Sequence, residues 1–505
     1  MKFNFNNKQK TVTQNHENAK AFVMTPEMEL YTAVVTTGLN DSFYEADNVR
    51  FERISGLLQK CAPEFVAKLA VYARTVMQLR SVSVLLSVAL AQRVSGGSLV
   101  RHTIGKVVQR ADEITELLAC YQMLNERTAV KKLNRLSKQV QKGLAIAFNN
   151  FDEYQFAKYD RNTAVKLKDA LFLVHPKAKD EGQQLIFNKI ASGTLATPYT
   201  WETQLSELGK IQFADADAKK RAVAQKWEAL IESKKIGYMA LMRNLRNIIQ
   251  AGVSGIHIQM VCDYLSDAKA VENSKQLPFR YLSAYREIKA LDSGYVPLVL
   301  QALEKAVLQG AKNIKGFGLD TAVVIACDVS GSMQGPVSAR SSVLLYDIGL
   351  MLGMLMQSRC KNVISGMFGD TWKTIPMPQH NILANVQEYY KREGEVGYAT
   401  NGYLVLEDLI RRKKVVDKIM LFTDVQLWNS NATNNTMASS WKNYKKIAPA
   451  ATLYLFDMAG HGTTPLQIQE NQVYLIAGWS DKVFEILDAI ENKETALDTI
   501  LQVQL

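Results

Sequence analysis

Cysteine is scarce and scattered in this chain of 505 residues: Cys61, Cys120, Cys262, Cys327 and Cys360 share no C-x-x-C spacing and have no histidine cluster beside them. That excludes a disulfide framework and a zinc site of ordinary spacing, and leaves five small core residues suited to a reducing cytoplasm. Proline and glycine, 11 and 28 residues, are too few for long disordered tracts. Long apolar runs are missing as well. The longest, S-V-S-V-L-L-S-V-A-L-A at Ser81 to Ala91, is too short to span a bilayer, and M-K-F-N-F-N-N-K-Q-K carries no apolar signal region. The expectation is a soluble cytoplasmic protein that is not exported and makes no membrane contact. Only six histidines occur and no G-x-S-x-G elbow, so a serine hydrolase finds no support.

What is present is positive charge, unevenly placed. The first 318 residues hold 44 Lys and Arg against 30 Asp and Glu, whereas Leu319 to the end holds 16 against 19. The excess therefore belongs wholly to the N-terminal part, which points to a polyanionic partner there. The rival reading is a merely solubilising surface.

Periodicity changes at the same boundary. From about Pro26 to Gly310 one helical pattern follows another: Phe65, Leu69, Tyr72 and Val76 share one face, and similar stretches run over Leu99 to Asn125, Thr128 to Phe148, Asp180 to Ser192, Ala218 to Ser233, Tyr238 to Gln250 and Val296 to Gln309. Many helices with short polar joins predict an α-solenoid of HEAT or armadillo type, with a compact bundle as the alternative. Strand-length apolar runs then appear at Thr321 to Cys327, Asn362 to Phe368, Lys418 to Thr423, Thr452 to Phe456 and Gln472 to Ala477. They alternate with helical stretches at Ala339 to Ser358, Asn401 to Arg412 and Asp481 to Ile490, which predicts a doubly wound parallel α/β sheet. The expected domains are 1–318 and 319–505.

The first strand ends in D-V-S-G-S. Asp328, Ser330 and Ser332 set three oxygen-bearing side chains at alternate positions at the carboxyl end of a strand, where α/β sheets collect ligands, and could converge on a hard cation such as Mg²⁺ or Mn²⁺. Thr400, opening the helix of A-T-N-G-Y-L, and Asp424, closing K-I-M-L-F-T-D, are the candidates for the rest of the shell. The bland alternative is that Asp328 and its serines cap a helix beginning near Ser338 or form an Asx turn. A nucleophilic Ser330 or Ser332 would need a histidine, with only His380 and His461 late enough in the chain.

In the basic part, K-K-L-N-R-L-S-K-Q-V-Q-K-G-L places Lys131, Arg135, Lys138 and Lys142 on one helix face opposite Leu133, Leu136, Val140 and Leu144, with Lys132 beside them. Lys158, Tyr159, Arg161, Lys166, Lys168, His175, Lys177 and Lys179 then interleave cations with rings, the makings of a single-stranded nucleic-acid site. A solvated helix face accounts for any one such run taken alone.

Two resemblances join these observations. D-V-S-G-S with the later Thr400 and Asp424 resembles the metal-ion-dependent adhesion site of von Willebrand factor A domains, though Ala399, Asn401 and Val425 stand where a common pattern has Gly, Asp and Gly. The run A-V-Y-A-R-T-V-M-Q-L-R-S-V-S-V-L-L-S-V-A-L-A, then K-Y-D-R-N with K-D-A-L-F-L-V-H-P-K, and M-A-L-M-R-N-L-R-N-I resemble the TROVE module of the Ro autoantigen family, which also continues into such an A domain. The resemblance implies a HEAT-like helical ring closed by a Rossmann-like A domain. It further implies a non-catalytic monomer binding single-stranded 3′ ends of misfolded non-coding RNA, and Y-like RNA on an outer basic surface. Lys158, Arg161 and His175 match RNA-contacting positions, and Lys131, Lys132, Arg135, Lys138 and Lys142 match a basic helix. Asp328, Ser330, Ser332, Thr400 and Asp424 would hold Mg²⁺, with Mn²⁺ or Ca²⁺ as alternatives, and an exoribonuclease or another protein would dock on the A domain. Two other function classes stand beside this one: an adhesion-type interaction scaffold and a metal-dependent enzyme.

Overall fold

A computed structural model describes residues 12–14, 20–36, 48–124, 136–160, 163–312, 320–337, 341–427, 436–492 and 494–505. The chain divides into two compact units. One comprises Met1–Gly38, Leu277–Ser283 and Gly310–Thr499; the other comprises Leu39–Gln276, Ala284–Gln309 and Ile500–Leu505. This grouping by contacts, set beside the expected 1–318 and 319–505, places the first strands and helix with the sheet and the last six residues with the helices. Long-range contacts decide that grouping, and hydrophobic periodicity does not report them. No helix among the described residues is long and apolar enough to cross a membrane.

In the sheet unit, β1 (Val12–Gln14) and β2 (Lys20–Val23) form a small antiparallel sheet with β8 (Thr463–Thr464). The main sheet has the order β5 (Trp372–Thr374), β4 (Asn362–Phe368), β3 (Ala322–Asp328), β6 (Lys418–Thr423), β7 (Thr452–Asp457), β9 (Val473–Ala477). All pairs are parallel except β4 with β5. The central strands are buried almost throughout, as continuous apolar runs in a parallel sheet require. Helices Leu345–Gln357, Ile382–Arg392, Tyr403–Arg411, Met437–Ile447 and Val483–Glu491 accompany the strands. Helix Pro26–Val35 belongs to this unit too: the Tyr31 hydroxyl donates to Ala477 O at 3.0 Å. Gly460, at φ +66°, lets that helix approach, since a Cβ there would lie 2.5 Å from Thr36 Oγ1 and 2.7 Å from Thr32 O.

The helical unit runs as a succession in which helices touch near neighbours in the chain: Pro63–Thr75 packs on Ser81–Arg93 and Leu99–Val107, and Leu99–Val107 on Lys138–Phe148. Local stacking of this kind is the solenoid habit. Phe65, Leu69 and Tyr72 are buried as their spacing predicts, but so are Val66, Ala67, Ala70, Val71 and Ala73, so this helix is enclosed on nearly all sides.

Two predicted helices are each two. Leu99 to Asn125 breaks into Leu99–Val107 and Ala111–Leu124, because the buried Glu113 carboxylate accepts from the backbone N–H groups of Gln109 (2.7 Å) and Arg110 (3.1 Å). Glu113 is held in turn by Arg74 at 2.8 Å and Arg80 at 3.1 Å, and Arg80 also reaches Asp112 and Glu116. Burial lowers the Arg74 pKa despite that partner. Tyr238 to Gln250 divides at Asn244, whose buried amide donates to Ala240 O and accepts from Asn247.

Candidate cation site and nucleic-acid face

The strand register assembles the polar site. Pairing Cys327 with Phe422 sets Asp328, the last residue of β3, beside Thr423, the last of β6. Thr423 Oγ1 donates to Asp328 Oδ2 at 2.5 Å, while Ser330 N donates to Asp328 Oδ1 at 2.8 Å. Ser330 and Ser332 hydroxyls lie 3.2 Å apart. Asp328, Ser330, Thr400 and Asp424 are all buried, whereas Ser332 is exposed and marks the solvent side.

Three details differ from expectation. Asp328 belongs to its strand, and the helix that follows begins at Leu345 behind a 3₁₀ turn at Gly331–Gln334, so Asp328 caps neither. Thr400 stands three residues ahead of helix Tyr403–Arg411 and does not open it. Asp424 lies one residue past β6.

The Thr400 loop is fixed from two sides. Ala399 N donates to Asp370 Oδ1 at 3.1 Å, and Gly331 N donates to Tyr398 O at 3.1 Å, tying this loop to the serine turn. Thr423 and Asp370 were not selected from the sequence. Thr423 had a signal, closing the apolar run K-I-M-L-F-T directly before Asp424, but Asp370 had none.

Electrostatics favour a cation here. Burial, and next the Asp424 carboxylate, raise the Asp328 pKa, against hydrogen bonds from Ser330 and Thr423 that lower it. Asp424 Oδ1 accepts from Gln426 N at 3.0 Å, whereas Asp424 Oδ2 is buried without a hydrogen-bond partner among the described residues. An orphaned carboxylate oxygen beside a second buried carboxylate, with hydroxyls around them, fits a hard divalent ion. Val425, at φ 56° with its side chain buried, occupies the left-handed region that glycine favours, at a cost of about 1–3 kcal/mol. Among the described residues neither serine hydroxyl bonds to a histidine.

The basic residues divide by position. Lys131, Lys132, Arg135 and Arg161 lie outside the described residues. Lys138 and Lys142 are exposed on helix Lys138–Phe148, while Val140 and Leu144 are fully buried opposite them. Gly143 makes the close seat of that helix: a Cβ there would meet Ile104 Cβ at 2.7 Å and Arg101 O at 3.1 Å.

Gln141, between the two lysines, donates to Val174 O at 3.1 Å and so joins this helix to the end of Leu167–Val174. His175 caps that end in the left-handed conformation, φ 48°, with its N–H on Leu171 O and its ring exposed. The structure thus brings Lys138, Lys142 and His175 to one place.

Lys158 is displaced along the chain on the short helix Glu153–Tyr159. Its ammonium sits 5.7 Å from the Tyr154 ring centre and 5.6 Å from Tyr159, and Arg110 lies 4.5 Å from Tyr159 on its own account. Such cation–π contacts hold the charge over a ring face while leaving it accessible.

The TROVE domain matches residues 4–208 and 193–305, together more than half of the chain. The chain belongs to the TROVE family. The Ro60 vWA domain matches residues 322–490, so the order is that of a Ro-type TROVE protein.

Among solved structures, the Ro (Rsr) protein of Deinococcus radiodurans superposes with a TM-score of 0.60 over 93% of this chain and 100% of that one, at 16% identity, which establishes the shared fold. Telomerase protein component 1 of Rattus norvegicus is 22% identical over 346 residues, covering 52% of this chain, and that of Mus musculus is 24% identical over 307 residues, covering 48%. The match spans only 13% and 12% of those two proteins, so it concerns a module within them. For this TROVE protein the family match takes in the helices carrying Lys142, Lys158 and His175, and the vWA match takes in Asp328, Thr400 and Asp424.

Proposed function

We propose that this Ro-type protein is a non-catalytic receptor for single-stranded 3′ ends of misfolded or structured small non-coding RNA, with Y-like RNA on its basic helices, acting in RNA quality control or processing. One observation carries the reading. Lys142, Lys158 and His175 are exposed with no ion pair among the described residues, in the part of the chain that holds all the excess charge. Cations left without a carboxylate partner are available to phosphates, and rings beside them are available to unpaired bases.

The test is fluorescence anisotropy of two RNAs sharing one hairpin, one blunt and one with a single-stranded 3′ tail, titrated at several salt concentrations. Tighter, salt-sensitive binding of the tailed RNA is expected. Replacing Lys158 and His175 together by Ala should weaken it, and equal affinity of wild type for both RNAs would sink the reading. Absence of turnover with Mg²⁺ is expected in the same mixtures.

A second reading is favoured by the orphaned Asp424 Oδ2: an adhesion-type scaffold in which RNA binding is secondary. Asp328, Ser330, Ser332, Thr400 and Asp424 would hold Mg²⁺, or Mn²⁺ or Ca²⁺, directly or through water. The ion would offer an open coordination position to a carboxylate of a partner, an exoribonuclease or another protein. In that case Asp328→Ala abolishes partner capture and leaves RNA affinity intact. A monomer is expected in solution.

A further inference from the structure

Helix Leu167–Val174 presents a face that the basic residues alone do not explain. Leu167, Ala170, Leu171 and Val174 are buried, so its core-facing side is satisfied. On the opposite side Phe172 is 52% exposed, an unusual place for a phenyl ring.

Spacing defines its neighbours. Lys168 and Phe172, four residues apart on this helix, align as one outward stripe, and His175 caps the helix end. Lys168 and His175 are exposed and make no ion pair among the described residues; the exposed Asp169 lies about 100° around the helix from Lys168. The Gln141 bonds to Leu173 O and Val174 O bring the Lys138–Lys142 turn against the same helix end.

An aromatic face between cations is what single-stranded nucleic acid requires, with phosphates taken by the lysines and a base by the ring. A duplex cannot use it, since its base faces are covered by stacking. A protein partner meeting the ring would also have to supply carboxylates to Lys168 and Lys142.

We infer that Phe172 is the stacking platform for an unpaired RNA base, with Lys168 and Lys142 holding the flanking phosphates. This rests on the RNA-binding reading and adds to it the residue that separates single strands from duplexes.

The experiment uses the full chain and a short single-stranded RNA carrying one 2-aminopurine, with a blunt RNA duplex as reference. Phe172→Ala is expected to weaken single-strand binding about 5- to 150-fold, with the slope against salt unchanged because no cation is lost. Duplex binding should stay as in wild type, and Phe172→Trp should restore single-strand affinity and alter 2-aminopurine emission on binding. Unchanged single-strand affinity in Phe172→Ala would overturn the inference while leaving the RNA-binding reading in place, and would turn the exposed ring towards a protein partner. Equal losses for both RNAs, or a fall in Tm of the free variant, would make Phe172 a structural residue. Failure of wild type to bind the single strand at all would overturn both.

Discussion

The two units keep their chemistry on opposite sides of the solvent boundary. In the sheet unit the polar residues are buried at strand ends and their geometry is set by backbone register, down to the 2.5 Å contact of Thr423 with Asp328. In the helical unit the candidates Lys138, Lys142, Lys158 and His175 are exposed and make no ion pair among the described residues, and their placement depends on how helices distant in sequence are seated, as with Gln141 on Val174 O. A buried site tolerates no vacancy in its polar pairing, so it carries a visible demand for a ligand. An exposed site makes no such demand, and only accumulation of like charges and rings distinguishes it from ordinary surface.

The largest effect that would break this contrast belongs to the exposed side. Lys142→Ala, Lys158→Ala and His175→Ala combined should lower affinity for tailed RNA on the order of 100-fold, three charge-assisted contacts being lost. The salt slope should flatten by roughly 0.7 per phosphate contact removed. Folding should not change, and circular dichroism melts check that. If affinity survives, the exposed cations are surface decoration and the contrast between the two units fails.

Next comes the buried side. Asp328→Asn should remove the stabilisation that Mg²⁺ confers on the wild type, about 2.7 kcal/mol at a hundredfold excess over the dissociation constant. In chelator the same variant should melt no lower than wild type, because one of two adjacent buried carboxylates is gone. Scanning calorimetry with and without Mg²⁺ decides it. A Mg²⁺ response that persists in Asp328→Asn would place the cation elsewhere.

The difference between the units also explains what could be read in advance. Strand β6 was legible to the residue because a parallel central strand is a continuous apolar run, β4 was legible from its apolar flanks V-I and M-F, and the D-V-S-G-S motif is local enough to show its own geometry. Strand β5 and the small sheet of β1, β2 and β8 were missed: they are two to four residues long and carry no run. The break at Val108–Arg110 escaped because Glu113 makes it, and Glu113 is fixed by Arg74 and Arg80 from other helices. Asp370 escaped for the same reason, its loop being tied to Ala399 only once the chain has folded. Tertiary partners overrode local periodicity in each case.

Gly143→Ala sharpens the claim that helix seating governs the exposed face. Its Cβ would stand 2.7 Å from Ile104 Cβ and 3.1 Å from a backbone oxygen, so the helices must separate, at about 1–3 kcal/mol. Thermal melts should show the loss, and RNA affinity should fall severalfold although no cation has been touched. Affinity that follows the wild type while Tm drops would mean that Lys138 and Lys142 bind independently of where their helix sits.

The smallest effect has the clearest sign. His175 and Lys275 both end helices of the helical unit with a left-handed residue, at φ 48° and φ 50°. Either replaced by Gly should gain up to about 1 kcal/mol, since glycine enters this conformation without the Cβ penalty while giving back some unfolded-state entropy. Only His175→Gly should also weaken RNA binding. If both variants stabilise and both bind as wild type, the strain at His175 is incidental. If His175→Gly alone loses affinity while gaining stability, a helix end has kept a strained histidine because the RNA face uses it, the exposed counterpart of the strained Val425 beside the buried carboxylates.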